Sequence, residues 1–236
     1  MTTGAALKDL KQRRKEWAPW LAVVEEALRE TGALAWDAAV PPGGDARHTT
    51  VPLLAGATLS LQASSVRRFL ERLIRMASRG GNPKIASVQS ALHADVDVLE
   101  LFAASLCQDS DRIKDGAMRS GADADALQAV VALLPVPFLH ACNRRGASSI
   151  SESWVQGYCP VCGSWPAFAE IRGIERRRSF RCGRCGAEWH ARALYCPYCD
   201  MSDHGELVAL VPQNREWNAA IDACNRCGGY VKTFTR

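Results

Sequence analysis

Several features that would indicate export or membrane insertion are missing from this sequence. No apolar run follows the basic segment MTTGAALKDLKQRRKEWAPWL at residues 1–21, so a secretory signal is not expected. The longest apolar stretch, AVVALLPVPFLHAC at residues 129–142, is shorter than a membrane span requires and contains Pro135 and Pro137. We therefore expect a cytoplasmic protein without a membrane partner, in a compartment that keeps cysteines reduced.

Catalytic patterns are missing as well. The sequence contains no Ser/His/Asp set, glycine-rich phosphate loop or pair of carboxylates whose spacing indicates an active site. A strong excess of one charge is also lacking, since the formal net charge is +4. Eight thiolates on two divalent ions would lower that charge to about zero. We therefore expect no enzyme, and a nucleic-acid partner is not favoured.

The composition divides the chain into a helical part, predicted as residues 1–152, and a cysteine-rich part, predicted as residues 153–236. Apolar residues recur at helical spacing in four places of the first part: residues 7–30, 64–81, the segment after Pro83, and residues 123–142. In the second helix the predicted core positions are Val66, Phe69, Leu70, Leu73, Ile74 and Ala77, with Ser64 or Ser65 as the cap and Gly80-Gly81 as the stop. In the third they are Val88, Leu92, Val96, Leu99 and Phe102.

A loop rich in proline and glycine is predicted between the first two helices, at residues 40–56. The second part loses the helical period and contains short segments typical of strands: residues 166–173, 178–182, 206–213 and 230–235. The predicted fold class is therefore α+β, with an N-terminal helical domain followed by a small β-rich module of two rubredoxin-like or zinc-ribbon metal sites.

Eight of the ten cysteines form four Cys-x-x-Cys pairs, which is the spacing of metal-binding knuckles. Glycine follows three of the pairs, at Gly163, Gly186 and Gly228, where it allows the left-handed conformation that ends the turn; Asp200 takes that place in the remaining pair. The predicted metal ligands are Cys159, Cys162, Cys182, Cys185, Cys196, Cys199, Cys224 and Cys227.

Two knuckles are needed to supply four ligands. Nineteen residues separate Cys162 from Cys182, as expected when a hairpin joins two knuckles, and 24 separate Cys199 from Cys224, which is slightly long but acceptable for the same arrangement. Sequential pairing is favoured over an interleaved pairing of the first pair with the fourth. Four thiolates suit zinc and iron almost equally, and a filled coordination sphere leaves no position for a reacting water.

Other candidates have ordinary structural interpretations. Cys107 and Cys142 lie in helical patterns and are predicted to be buried small hydrophobes. His190 lies between two knuckles and is expected to be a surface or packing residue rather than a further ligand. The basic cluster ERRRSFR, residues 175–181, is expected to be a solvated turn, although it offers a grip for an acidic partner or nucleic acid.

The cysteine segments in their context resemble the formate dehydrogenase accessory protein (FdhE) family. The resemblance rests on WVQGYCPVCGSWP, RCGRCGAEWHARALYCPYC and CNRCGGYVKTF, with Trp189 and Arg192 between the second and third pairs. It implies a cytoplasmic maturation factor that binds the catalytic subunit of a formate dehydrogenase and carries rubredoxin-like iron on the cysteine pairs. Iron is therefore favoured in two tetrahedral four-cysteine sites, with zinc possible.

Two other functions stay open at this point. A zinc-ribbon nucleic-acid binder would need a basic surface, but residues 154–236 contain eleven basic and eight acidic residues before any thiolate is counted. A thiol–disulfide protein would place its Cys-x-x-Cys at the start of a helix in a βαβ fold, whereas glycine follows three of the four pairs here. The sequence does not give the oligomeric state.

Overall fold

The computed structural model describes residues 3–42, 50–91, 96–213 and 218–236. The chain groups into two compact units, one of Met1–Ala39 and Leu59–Phe138, the other of Val40–Thr58 and Leu139–Arg236. This grouping differs from a division at residues 152 and 153, because the backbone N–H groups of Leu53 and Leu54 donate to the carbonyls of Pro160 and Val161 at 2.9 and 3.1 Å. That residues 1–152 form a domain of their own stays a prediction.

Helices make up the first unit and continue into the second. Within the described residues they are α1 Thr3–Arg13, α2 Ala18–Glu30, α3 Ala63–Ser78, α4 Pro83–Ala91, α5 Val98–Leu106, α6 Ser110–Ser120, α7 Ala124–Val131 and α8 Val136–Gly146. Short 3-10 helices lie at Lys15–Trp17, Leu34–Ala39 and Ala147–Ser149. The helical pattern predicted over residues 7–30 is thus divided between α1 and α2, and Trp17 between them is half exposed.

Helix α3 is at the centre of the first unit and packs against α2, α4, α5 and α7. Its six predicted core residues are all buried, so the helical period located this face correctly. The helix begins one residue before Ser64 and its N-cap residue is Gln62, so neither predicted serine is the cap. It ends at Ser78, just before the predicted glycine stop.

Aromatic rings extend this core across the helices. Trp36 lies edge-on to Phe69 at 6.0 Å and stacks on Phe102 at 6.4 Å, and Phe102 meets Phe138 at 5.8 Å. All four side chains are almost fully buried. Such ring pairs add to the burial of their large apolar surfaces.

The third predicted helix is two helices, α4 and α5. Val88 and Phe102 are buried as expected, but Val96 precedes α5 and is half-buried, and Leu99 is exposed; Leu92 lies outside the described residues. Asp97 caps the new helix by accepting from the N–H groups of Leu99 and Glu100. Because α5 begins as a new helix, its buried face is not a continuation of the buried face of α4. The core positions predicted for one continuous helix therefore do not all apply to α5.

Within the described chain, the segment Ala124–Ser149, which contains α7, α8 and the last 3-10 helix, has the length and apolar content needed to cross a membrane, with 61% of its most apolar window buried inside the protein. The apolar stretch at residues 129–142 lies within this segment. Burial of this kind is typical of a core helix.

The second unit contains one six-stranded sheet. Its strands are β1 Phe168–Arg172, β2 Arg177–Arg181, β3 Glu188–His190, β4 Leu207–Leu210, β5 Ala219–Cys224 and β6 Tyr230–Thr235, in the order β3-β2-β1-β6-β5-β4. The four predicted strand segments correspond to β1, β2, β4 and β6, and the α+β fold class is confirmed. Four neighbouring pairs are antiparallel, whereas β1 and β6 are parallel with Ala169 opposite Thr233.

This sheet consists of two successive three-stranded ribbons with the same topology. In the first, a cysteine pair precedes β1 and β2, and a second pair lies between β2 and β3. In the second, the corresponding strands are β4, β5 and β6, and the second cysteine pair begins at Cys224, the last residue of β5. In the first ribbon, Arg181 lies opposite Glu188 on the two strands that flank the second knuckle. In the second ribbon, Ala223 lies opposite Tyr230 in the same way. The second knuckle of each ribbon therefore spans the same number of residues.

Candidate metal centre

The first ribbon brings four sulfurs together. Cys159 Sγ lies 3.5 Å from Cys185 Sγ, and Cys162 Sγ lies 3.6 Å from Cys182 Sγ and 3.9 Å from Cys185 Sγ. Three of these cysteines are buried and Cys162 is half-buried. Two knuckles at the same end of the ribbon therefore form one enclosed four-sulfur cluster.

The second ribbon repeats this arrangement. Cys196 Sγ lies 3.7 Å from Cys227 Sγ, and Cys199 Sγ lies 3.7 Å from Cys224 Sγ. Cys227 is exposed, so this cluster is more open than the first. In each cluster all four sulfurs lie within 4.8 Å of one another, and the grouping is sequential rather than interleaved.

These distances fit a single tetrahedral ion in each cluster. Four sulfurs about 2.3 Å from one ion lie about 3.8 Å from one another in a regular tetrahedron. The shortest observed separations, between 3.5 and 3.9 Å, agree with that value. A cluster of several irons would hold its cysteines further apart. Each four-sulfur set can therefore hold one ion, of zinc or iron, with every coordination position filled by protein.

The same backbone turn forms all four knuckles. The backbone N–H of the first cysteine donates to the carbonyl five residues further on, as from Cys159 to Ser164 and from Cys224 to Gly229, both at 2.9 Å. The carbonyl of the first cysteine accepts from the residue after the second cysteine, as Cys159 does from Gly163 at 2.9 Å. The other two knuckles, beginning at Cys182 and Cys196, have the same two bonds.

The residue after each pair is left-handed, as predicted. Its φ is +73° at Gly163, +74° at Gly186, +61° at Asp200 and +70° at Gly228. At Gly186 a side chain would also meet the His140 ring at 3.0 Å. Asp200 tolerates the conformation and accepts a hydrogen bond from the Tyr195 hydroxyl.

Backbone N–H groups around the knuckles stabilise the thiolates. The N–H of Arg184 points at Cys182 Sγ from 3.4 Å, and that of Gly229 at Cys227 Sγ from 3.4 Å. Hydrogen bonds from the backbone N–H groups of Cys227 and Arg226 lower the pKa of the Cys224 thiol to about 7. Burial, in contrast, raises the pKa of the Cys196 thiol to about 12. One cluster thus combines a readily ionised thiol with one that depends on a cation to ionise.

Two tryptophans of the cysteine segments bind the backbone just before the first knuckle, a role that was not predicted from the sequence. The Trp154 indole N–H donates to the carbonyl of Tyr158 at 3.1 Å, and that of Trp189 donates to Gln156 at 3.0 Å. Both rings are buried. Their position close to the cysteine pairs in the sequence was the signal that could have predicted this role.

The remaining candidates lie outside the clusters. His190 is exposed on β3 and belongs to neither four-sulfur group, as expected. Cys142 is buried as predicted, but the same prediction for Cys107 is wrong. Cys107 is the exposed C-cap residue of α5 and directly follows the last helical residue, Leu106.

The basic cluster is not simply a solvated turn. Arg178 is 9% exposed and donates to Asp222 of β5 at 2.9 Å. Arg181 donates to the buried Glu170 at 2.9 Å, and Arg177 pairs with Glu175 at 2.8 Å. Arg178 and Arg181 thus pair with carboxylates inside the sheet from opposite faces of β2, whereas the pair of Arg177 and Glu175 is largely exposed.

The four Cys-x-x-Cys pairs also differ in context from a thiol–disulfide motif. Each lies in a turn next to a strand or an extended segment, and none lies at the start of a helix. The two pairs of each cluster face each other, which places four sulfurs together rather than one exposed pair.

Comparison with known proteins extends these observations. No family model matches the chain. Over 77 residues it is 34% identical to Protein FdhE of Escherichia coli O127:H6 (strain E2348/69 / EPEC) and 32% identical to Protein FdhE of Salmonella choleraesuis (strain SC-B67). These alignments cover 32% of this chain but only 24% of each relative.

A solved structure matches at larger scale. The crystal structure of the FdhE protein from Pseudomonas aeruginosa aligns with a TM-score of 0.53 over 97% of this chain and 80% of that chain, at 22% identity. The resemblance to the FdhE family is confirmed. The crystal structure shares the fold, while the sequence similarity to FdhE proteins spans about a third of this chain.

Proposed function

We propose that this protein is an FdhE-type accessory factor that assists the maturation of a formate dehydrogenase and is not itself an enzyme. The observation that carries the proposal is the pair of four-sulfur clusters, each with the spacing of one tetrahedral ion. The FdhE relatives and the shared fold support the same assignment.

In this proposal each cluster binds one metal ion through its four thiolates. The ligands are Cys159, Cys162, Cys182 and Cys185 in one cluster, and Cys196, Cys199, Cys224 and Cys227 in the other. The family resemblance favours iron, and the same sulfur geometry accepts zinc. With four protein ligands the ion has no position for a substrate, so its role is to order the ribbons or to exchange an electron.

The proposed partner is the catalytic subunit of a formate dehydrogenase, bound in the cytoplasm. This step comes from the family resemblance and not from a feature of the clusters. The pairing of Arg178 with Asp222 and of Arg181 with Glu170 supports a protein partner over nucleic acid, because these two arginines are not free to neutralise phosphates.

A deletion strain tests this function. Formate oxidation should fall in the strain while the amount of catalytic subunit stays the same, and a tagged copy of this protein should recover that subunit from the cytosol. Restoring the intact chain should restore formate oxidation. The double variant Cys159→Ser/Cys162→Ser should not restore it. Serine hydroxyls are hard ligands and do not replace the two soft thiolates that bind the metal.

The matched control is Cys107→Ala, which removes an exposed cysteine outside both clusters. It should restore formate oxidation as well as the intact chain does. Normal formate oxidation in the deletion strain, with no related protein present, would overturn the proposal. Binding of RNA or DNA at physiological salt would then favour the nucleic-acid function instead.

A further inference from the structure

The knuckle at residues 196–199, which belongs to the second cluster, is built against the first ribbon. Gly157 lies two residues before Cys159 and touches this knuckle so closely that a Cβ atom there would lie 2.0 Å from the Pro197 carbonyl oxygen. It would also lie 2.7 Å from the Pro197 Cα. Any side chain at position 157 must therefore push the two knuckles apart.

An aromatic contact joins the same two regions. Trp165 follows the first knuckle, and its ring lies 5.2 Å from the ring of Tyr198, which stands between Cys196 and Cys199. The Tyr198 hydroxyl donates to the Tyr230 carbonyl at 3.0 Å. Tyr198 thus connects Trp165 of the first ribbon to the strand that follows the last cysteine pair.

A buried arginine provides the third connection. Arg178 of β2 donates to the carbonyl of Tyr195, the residue before Cys196, at 3.3 Å and to the carbonyl of Arg192 at 3.2 Å. It also donates to Asp222 of β5, which in turn accepts from Thr233 at 2.6 Å. One side chain of the first ribbon therefore fixes both the entry to the second cluster and the middle strand of the second ribbon.

We propose that the two clusters bind metal cooperatively, with Gly157, Trp165 and Arg178 as positioning residues that transmit the effect. This inference rests on the metal binding proposed above. Metal binding orders the ribbon that holds the ion, because the energy of binding is also folding energy in such sites. Once the first ribbon is ordered, its three contacts hold the 196–199 knuckle in place, so the second ion binds to a site that is already formed. The coupling is reciprocal by linkage.

Native mass spectrometry of the full chain tests this directly, with the reduced, metal-free protein titrated by zinc. At about one equivalent of zinc, chains with no ion and chains with two ions should dominate over chains with one ion. In the variant Cys159→Ser/Cys162→Ser, zinc affinity of the second cluster, measured by competition with a chelator, should fall by roughly 5- to 150-fold, the usual range for coupled sites.

Two variants test the contacts themselves. Trp165→Ala and Gly157→Ala should each raise the share of one-ion chains, since both loosen the junction while leaving all eight cysteines intact. Trp17→Ala removes a tryptophan that is 50% exposed, compared with 51% for Trp165, and serves as its control. Gly205→Ala controls for Gly157→Ala, because a Cβ there meets its nearest neighbour at an ordinary 3.4 Å.

The outcomes separate the two proposals. Binding of two ions with the statistical share of one-ion chains, and an unchanged affinity of the second cluster in the serine variant, would overturn cooperativity and leave metal binding intact. Binding of no metal would instead overturn the proposed function. If Gly157→Ala fails to fold, Trp165→Ala decides alone, because the exposed side chain is removed without introducing a clash.

Discussion

Asp200 occupies in the third knuckle the position that Gly228 occupies in the fourth. Both residues have positive φ, +61° and +70°, and the N–H of each donates to the first cysteine of its pair, at 3.1 and 2.9 Å. The third knuckle thus shows that the position held by Gly228 in the fourth can be occupied by an aspartate. The turn requires a left-handed residue, and aspartate meets that requirement with the added hydrogen bond from Tyr195.

Gly228→Ala should weaken the second cluster through backbone strain alone. No atom lies within 4 Å of a Cβ at this position, so the left-handed conformation is the only cost, about 1 to 2 kcal/mol. Chelator competition should show a lower metal affinity. Gly228→Asn should retain most of the affinity, because asparagine adopts this conformation more readily. Equal effects of alanine and asparagine would contradict this explanation.

Counting reactive thiols should distinguish ligands from other cysteines. In the metal-loaded protein, a thiol-alkylating reagent should label the exposed Cys107 and leave the eight cluster cysteines unlabelled, because coordinated thiolates are protected. Removal of metal should expose those eight to the reagent, and full denaturation should add the buried Cys142. Mass spectrometry of the peptides reads the result. Rapid labelling of Cys159 or Cys185 before metal removal would show that the first cluster is not closed.

The buried Glu170 should make the second unit sensitive to acid. Burial acts to raise the pKa of this carboxyl, but the hydrogen bond from Arg181 and the charges of Arg181, Arg172 and Arg236 outweigh burial and lower it. Its stabilising effect is therefore complete above the usual glutamate pKa of about 4.3 and is lost as the pH falls through the lower folded-state value. Glu170→Gln should cost about 1 to 3 kcal/mol at pH 7 and progressively less in acid.

Hydrogen exchange of the β1 and β2 amides measures this effect. The difference between the intact protein and Glu170→Gln should shrink from pH 7 to pH 3, even though acid also weakens metal binding in both. Glu175→Gln is the control, since Glu175 pairs with Arg177 but is largely exposed. A difference that stays constant over this range would show that the Glu170 charge is not what stabilises the strands.

Two neighbouring residues of α5 should respond very differently to truncation. Phe102 is 1% exposed between Trp36 and Phe138, so Phe102→Ala should destabilise the first unit by about 3 to 5 kcal/mol. Leu99 is 36% exposed on the same helix, and Leu99→Ala should cost less than about 1 kcal/mol. Denaturant titration of both variants gives the comparison, and similar losses would mean that α5 presents another face to the core.

The sequence located the features that depend on local chemistry. The knuckles follow from cysteine spacing and from the residue that must be left-handed, and the core face of α3 follows from its helical period. Strand β5 was missed because AAIDAC is rich in alanine, which has little preference for strands, and β3 has only three residues. Helix α6 was missed because only Ile113 and Ala117 of its eleven residues are buried.

Contacts between distant segments had no local signal. Leu53 and Leu54 lie more than a hundred residues before the carbonyls of Pro160 and Val161 that accept from them, and nothing in their own segment marks that pairing. The same holds for Arg178, which stands in a run of arginines typical of a surface yet is buried against Asp222. Burial of a charge depends on where its partner lies in three dimensions, and composition does not record that.

The way in which the two ribbons join in one sheet would allow a further ribbon to be added at one edge. The first strand of the first ribbon, β1, pairs in parallel with the last strand of the second, β6. At the end of the sheet β4 is the first strand of its own ribbon, and among the described strands it pairs only with β5. A third ribbon fused after the last residue would set its final strand beside β4 by the contact already used within the chain. The architecture is thus that of an extendable array, in which each added repeat would bring one more four-sulfur site.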